Sequence, residues 1–219
     1  MAQAFPKWAN FTPIIAAMLL GPAPLVVVGA VWYFGSPKYT DVGYRPEQPV
    51  PFSHKLHAGE LGMDCRYCHS QVEHSHEANV PPTETCMNCH NPNGPKIGLD
   101  NEKLNLVRES FETGKRLEWV RVHKLPDYAY FNHAAHLRAG IGCASCHGNI
   151  DQMEVVYQAK PMSMGWCLEC HRSPEKHIRP LDQLTNMKWE PPADQYSQAL
   201  EFIKERDLNP PEDCSACHR

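Results

Sequence analysis

A mainly α-helical fold with much irregular structure, on a single N-terminal transmembrane helix, is what three features of this 219-residue sequence predict. A Cys-x-x-Cys-His pattern occurs five times and consumes all ten cysteines. An uncharged apolar run lies near the N-terminus, and 20 prolines with 13 glycines cut the remainder into short segments. A mean hydropathy of -0.50 leaves that remainder short of core-forming side chains.

The pattern stands at Cys65/Cys68/His69, Cys86/Cys89/His90, Cys143/Cys146/His147, Cys167/Cys170/His171 and Cys214/Cys217/His218. Two cysteines three apart can bond to the two vinyl groups of one porphyrin, and the adjacent histidine then lies under the iron as its proximal ligand. Five covalently bound c-type haems are therefore expected, with those ten cysteines as attachment points and those five histidines as iron ligands. Zinc knuckles or disulfides are the competing explanation. Histidine is only 13 of 219 residues, so five chance histidines behind five pairs would arise roughly once in a million sequences. Zinc would also draw four ligands from paired knuckles, and five motifs do not divide that way. The apolar porphyrin faces are expected to stand in for a side-chain core. A formal net charge of -4, made more negative by two propionates per haem, argues against nucleic acid as a partner.

No charged residue lies between Lys7 and Lys38, and the 21 positions from Ile14 to Phe34 are predominantly apolar, enough to span a hydrocarbon core. Trp8 at one end and Trp32, Tyr33 and Phe34 at the other match interfacial aromatics. The run exceeds the usual length of a signal-peptide core and no small-residue cleavage site follows it, so it reads as an uncleaved anchor. Gly21, Pro22 and Pro24 should kink it, which lipid tolerates when neighbouring helices satisfy the freed carbonyls. Residues 1–35 thus form an anchor and 36–50 an extended linker.

An internal repeat follows. Phe52-Ser53-His54-Lys55-Leu56-His57 precedes the first motif as Phe131-Asn132-His133-Ala134-Ala135-His136 precedes the third. Each leader is followed by two motifs, which divides the chain into a dihaem module at 51–116, a second at 117–190, and a single-haem segment at 191–219. Between the modules, 100–116 places Leu104, Val107 and Phe111 on one helical face, and 117–123 reads as a short strand. Residues 195–205, with Tyr196, Leu200 and Ile203, read as a further amphipathic helix.

Electron-carrying haems generally take two protein ligands, so five more donors are needed. Eight histidines lie outside the motifs. His54, His57, His133 and His136 are the expected distal ligands, because histidines three apart on one helical turn can reach two neighbouring irons. His123 is assigned to the fifth haem, with His177, Met153, Met162 or Met164 as alternatives. His74 and His76, beside Glu73 and Glu77, read as surface residues.

The anchor, Pro51-Phe52-Ser53-His54, Thr85-Cys86-Met87-Asn88-Cys89-His90, Trp119-Val120-Arg121-Val122-His123-Lys124-Leu125-Pro126-Asp127, the second leader and Met164-Gly165-Trp166-Cys167-Leu168-Glu169-Cys170-His171-Arg172 together resemble the pentahaem c-type cytochrome subunits of alternative complex III, the bacterial quinol:electron acceptor oxidoreductase. The resemblance spans nearly the whole chain. It implies an electron-transfer subunit, with no catalytic residue of its own, on the periplasmic side of the inner membrane. Its implied partners are an iron-sulfur subunit, polytopic quinol-oxidising subunits, and a periplasmic cytochrome c or terminal oxidase as acceptor. The leaders resemble those of class III multihaem cytochromes, where one histidine serves the nearby haem and the other a haem further along. Two rivals are a multihaem reductase of a small oxyanion such as nitrite and a stand-alone membrane-anchored quinol dehydrogenase feeding a periplasmic reductase. The first needs an open iron, which pentahaem nitrite reductases mark with lysine for the motif histidine; here all five motifs end in histidine.

Overall fold

The computed structural model describes residues 5–218. It is mainly helical, and among the described residues it contains no β-strand, only two isolated bridges, Ala129 with His218 and Ile141 with Ile178. The helices are α1 (Thr12–Leu20), α2 (Ala23–Phe34), α3 (Pro37–Thr40), α4 (Cys65–Cys68), α5 (Thr83–His90), α6 (Asn105–Thr113), α7 (His133–Arg138), α8 (Cys143–His147), α9 (Met164–Arg172), α10 (Gln195–Glu205) and α11 (Cys214–Cys217).

A 3-10 turn, Lys7–Phe11, leads into α1, and the whole stretch Lys7–Phe34 is long and apolar enough to cross a membrane. At roughly 1.5 Å per residue α1, α2 and their junction run about 34 Å, against a hydrocarbon core of about 30 Å. Its most apolar part has a mean hydropathy of 2.3 and none of it is buried against the rest of the chain. The helix is interrupted at Gly21 and Pro22. Pro22 and Pro24 lack amide protons, so the carbonyls of Met18 and Leu20 have no i+4 donor. Bonds from Gly21 N to Ala17 O (2.9 Å) and Val26 N to Pro22 O (3.0 Å) carry the backbone through the bend.

The linker departs from the expected extended strand of chain. Pro37, with its preset φ, starts the short α3, and the following residues are then clamped. Gly43 N donates to Gln158 O at 2.8 Å and Gln158 N to Tyr44 O at 3.0 Å, while Lys124 lies 5.4 Å over the Tyr44 ring. Residues 117–123 are likewise not a strand. They run without regular structure because no second backbone lies alongside; instead the Gln48 side-chain amide donates to Val120 O (2.8 Å) and accepts from Val120 N (2.9 Å).

Among the described residues the buried apolar side chains gather in three small clusters, Val50, Met87 and Val107; Val72, Leu137 and Leu184; Ile141, Ile178 and Ala199, with Val122, Ala134 and Met153 buried apart from them. No large side chain is fully buried among the described residues. Two helical faces are rotated from those the periodicity suggests. In α6, Val107 is buried, but Phe111 remains 43% exposed because Ser110 turns inward to donate to Lys115 O at 2.6 Å. In α10, which has the expected bounds, Ala199, Phe202 and Ile203 pack inward and leave Tyr196 and Leu200 exposed.

The first leader forms a π-helical turn, Lys55–Glu60, packed on the 3-10 turn Ile150–Gln152 that follows the third motif. Lys55 N donates to Met153 O at 3.1 Å, and a Cβ on Gly59 would collide with the Asp151 carbonyl. Gly59→Ala is therefore expected to destabilise the folded protein by about 1–3 kcal/mol, the usual range for overpacking. A lowered thermal unfolding midpoint with helix content retained at low temperature would be the observed result.

Candidate haem sites

Each Cys-x-x-Cys-His motif sits on a helix. The pairs Cys65/Cys68, Cys143/Cys146 and Cys214/Cys217 open α4, α8 and α11, whereas the second and fourth pairs lie three residues inside α5 and α9. A helical turn brings side chains three apart onto one face, which is the geometry that two thioether bonds to one porphyrin need. Several starts are fixed by side-chain caps: Asp64 accepts from Arg66 N, Ser163 from Trp166 N and Asp213 from Ala216 N. Asp64 also takes bonds from the Arg66 guanidinium (2.8 Å) and Thr185 Oγ1 (2.9 Å), and these, the Arg66 bond foremost, hold its carboxyl down to about 2.

All ten cysteines are free thiols, and among the described residues no three His, Cys, Asp or Glu side chains converge on one metal position. Burial is the main cause that pushes up the Cys68, Cys86, Cys167 and Cys170 thiols, and it takes Cys146 to about 12.

The histidines carry the decisive geometry. His69 Nδ1 donates to Asn79 O (2.7 Å), His90 Nδ1 to Ile97 O (2.7 Å), His171 Nδ1 to Pro211 O (2.6 Å) and His218 Nδ1 to Tyr128 O (3.3 Å). In the leaders, His57 Nδ1 donates to Ser53 O (2.9 Å), His136 Nδ1 to Asn132 O (2.7 Å) and His133 Nδ1 to His76 O (2.9 Å). A carbonyl can only accept, so the proton is on Nδ1 and the Nε2 lone pair is left for a metal. The buried His147 Nδ1, His54 Nδ1 and His123 Nε2 have no hydrogen-bond partner.

The two leaders are geometric copies. Phe52 stacks on His57 at 4.4 Å and meets His54 edge-on at 4.9 Å; Phe131 stacks on His136 at 4.4 Å and meets His133 edge-on at 4.8 Å. One phenyl ring therefore sets the headings of both imidazoles. Three leader histidines then face motif histidines: His57 and His90 lie 6.3 Å apart between ring centres, His136 and His171 6.2 Å, and His133 and His147 6.4 Å. Two imidazoles bonded at about 2 Å on opposite sides of one metal, with ring centres roughly 1.1 Å behind the nitrogens, stand about 6.2 Å apart. All three separations match it.

His54 lies within the field of His69, His57 and His123. His123 sits edge-on to His147 at 4.3 Å, too close for the two to share an iron, and it neighbours His133 and His54. These contacts attach His123 to the first and third motifs. The fifth motif is cradled instead by the segment that follows His123, through Tyr130 N to Cys217 O (2.7 Å) and the Tyr128 carbonyl, and His76 stacks on Tyr130 at 6.3 Å. His74 and His76 are exposed, and Met153 is buried. The orienting carbonyls of Asn79, Ile97, Pro211 and Tyr128 escape sequence reading because a backbone oxygen carries no residue identity. Arg179, 8% exposed, was also missed: it lies 4.6 Å over Trp189 and donates to Asn186 O at 3.1 Å, pinning the loop that presents Leu184 O to Cys143 N.

These residues fit c-type haem, which when bound supplies a one-electron iron couple. Replacing the facing histidine of a pair, as in His57→Ala, is expected to turn the haem on the second motif from low-spin to high-spin and let it bind carbon monoxide when reduced. His74→Ala should leave the optical spectrum unchanged. Burial, followed by the neighbouring histidines, holds His54 down to about 4, and burial with His133 nearby does the same for His123. Folding opposes their protonation, so the stability they carry is complete above the ordinary value of 6.5 and is lost as pH falls from there through about 4. Iron at the same lone pair acts in the same sense. Urea unfolding is therefore expected to move to lower denaturant between pH 7 and pH 4.

The sequence model of cytochrome c7 and related cytochrome c matches residues 50–105 and 129–219, leaving out the segment with His123. The menaquinone reductase multiheme cytochrome c subunit of Nitratidesulfovibrio vulgaris is 31% identical over 169 residues, which cover 67% of this chain and 76% of that protein. With motif helices, free cysteine pairs and metal-ready imidazoles already in place, the chain belongs to the cytochrome c7 and related cytochrome c family, multihaem cytochromes of electron transport.

Proposed function

We propose that this chain is a membrane-anchored pentahaem cytochrome that relays electrons from quinol oxidation, within a respiratory complex of the alternative complex III kind, to a periplasmic cytochrome c or terminal oxidase. The observation that carries the reading is the set of three facing imidazole pairs at 6.2–6.4 Å. At the second, third and fourth motifs the facing imidazoles would hold an iron from both sides and leave no position for a substrate, which disfavours an oxyanion reductase centred there. Cys65, Cys68, Cys86, Cys89, Cys143, Cys146, Cys167, Cys170, Cys214 and Cys217 would hold five haems. His69, His90, His147, His171 and His218 would bind from one side, and His54, His57, His133 and His136 from the other. His123 lies beside the first and third motifs, 4.3 Å from His147, and its role as the fifth distal ligand would require a rearrangement of its surroundings.

The apolar stretch Lys7–Phe34 would fix the chain to the inner membrane in a single pass, with the haem region on the periplasmic side. Its bend at Gly21-Pro22 supports packing against polytopic neighbours, because the Met18 and Leu20 carbonyls need donors that lipid does not supply. A quinone-linked assembly is further supported by the name of the Nitratidesulfovibrio relative. That name also describes transfer in the opposite direction, and the direction in this chain would follow from the potentials of its partners. The stand-alone quinol dehydrogenase shares the anchor and leaders but leaves the bend unpartnered.

Native purification from membranes in mild detergent, with mass spectrometry of every chain in the haem-stained band, tests the reading. Polytopic subunits and an iron-sulfur protein are expected to co-migrate, with a mass increment of five haems on this chain. Migration alone, or with one soluble reductase, while quinol is still oxidised would replace it with the stand-alone dehydrogenase.

A further inference from the structure

Motifs adjacent along the chain need not be adjacent in space, and contacts between motif residues establish which ones touch. Asn88, inside the second motif, donates to the Tyr67 hydroxyl, inside the first, at 2.9 Å. The first motif is joined to the third three times over. The Cys65 and Cys143 side chains are close neighbours, each the strongest influence on the other. One loop supplies both motifs, with Thr185 Oγ1 on the first motif's cap, Asp64, at 2.9 Å and Leu184 O on Cys143 N at 3.0 Å. The first leader also packs on the turn Ile150–Gln152 directly behind the third motif.

The third and fourth motifs share the second leader, whose His133 faces His147 and whose His136 faces His171. The fourth motif is tied to the chain just before the fifth by His171 Nδ1 on Pro211 O at 2.6 Å and by the Arg172–Glu212 ion pair at 2.9 Å. The fifth is closed from its other side by Tyr128 and Tyr130.

We propose that the motifs stand in the spatial order second, first, third, fourth, fifth. The second and fifth are then the two ends of the conduction path, and the first, nearest in sequence to the membrane anchor, lies inside it. The proposal rests on the relay reading above and adds to it where partners must dock: one beside α5, the other beside the C-terminal helix α11. The 52 residues between His90 and Cys143 then form a return loop rather than part of the path.

The test is electron paramagnetic resonance of the fully oxidised full-length protein in its native complex, where neighbouring low-spin ferric irons perturb one another's signals. Two variants are compared, Cys86→Ser/Cys89→Ser and Cys65→Ser/Cys68→Ser, each checked by mass for the loss of one haem. Removing an end is expected to alter the signal of one remaining haem, and removing an interior member to alter two. The proposal requires one altered signal for the Cys86/Cys89 variant and two for the Cys65/Cys68 variant; the reverse overturns it. If either variant fails to fold, iron positions in an electron cryomicroscopy map of the unmodified complex decide. The first iron nearer the third than the second iron is supports the order, and the second nearer overturns it. Neither readout involves quinol, so a wrong order leaves the relay reading standing, and a complex that oxidises no quinol leaves the order standing.

Discussion

The hydrogen bond from an imidazole Nδ1 to a backbone carbonyl is the interaction on which the rest of this molecule depends. It places the proton, fixes the ring heading and leaves Nε2 as the only nitrogen able to bind iron. His57, His69, His90, His133, His136, His171 and His218 all make it. The accepting carbonyls come from distant chain as well as from nearby residues: Asn79 and Ile97 lie just past their motifs, whereas Pro211 serves His171 and Tyr128 serves His218 across 40 and 90 residues. Much of the tertiary structure exists to deliver those oxygens.

That arrangement explains why so little side-chain core is needed. Three clusters of three buried residues each would not hold a chain of this length together against its conformational entropy. They serve instead as spacers that set helix against helix: Val107 holds α6 on the α5 motif through Met87, and Ala199 seats α10 against the loop carrying Ile178. Porphyrin rings anchored at the cysteines supply further apolar surface in the family to which the chain belongs. The repeat has the same economy, since one phenylalanine in each leader orients two imidazoles by stacking on one and meeting the other edge-on.

Where reading of the sequence went astray, the cause was a partner that periodicity does not encode. The run 117–123 has strand composition, yet a strand needs a second backbone, and Gln48 supplies a side-chain amide in its place. Phe111 and Leu200 fall on the apolar stripe of their helices but stay outside, because Ser110 and Ala199 fit the tighter contacts. The linker carries the composition of a free connector and is nonetheless clamped by Gln158.

By itself the sequence determined the mainly helical class, the apolar stretch long enough to span a membrane, the duplication of the leaders and the covalent haem chemistry. All of these are local, because a cysteine spacing, an apolar run or a repeat is complete within a few residues. Only the tertiary structure decided which histidine faces which, that His123 lies beside His147, and that the first motif touches the third. Those are facts of chain return, set by hydrogen bonds such as Thr185 to Asp64 that join residues 121 positions apart. No spacing along the chain encodes a bond of that kind.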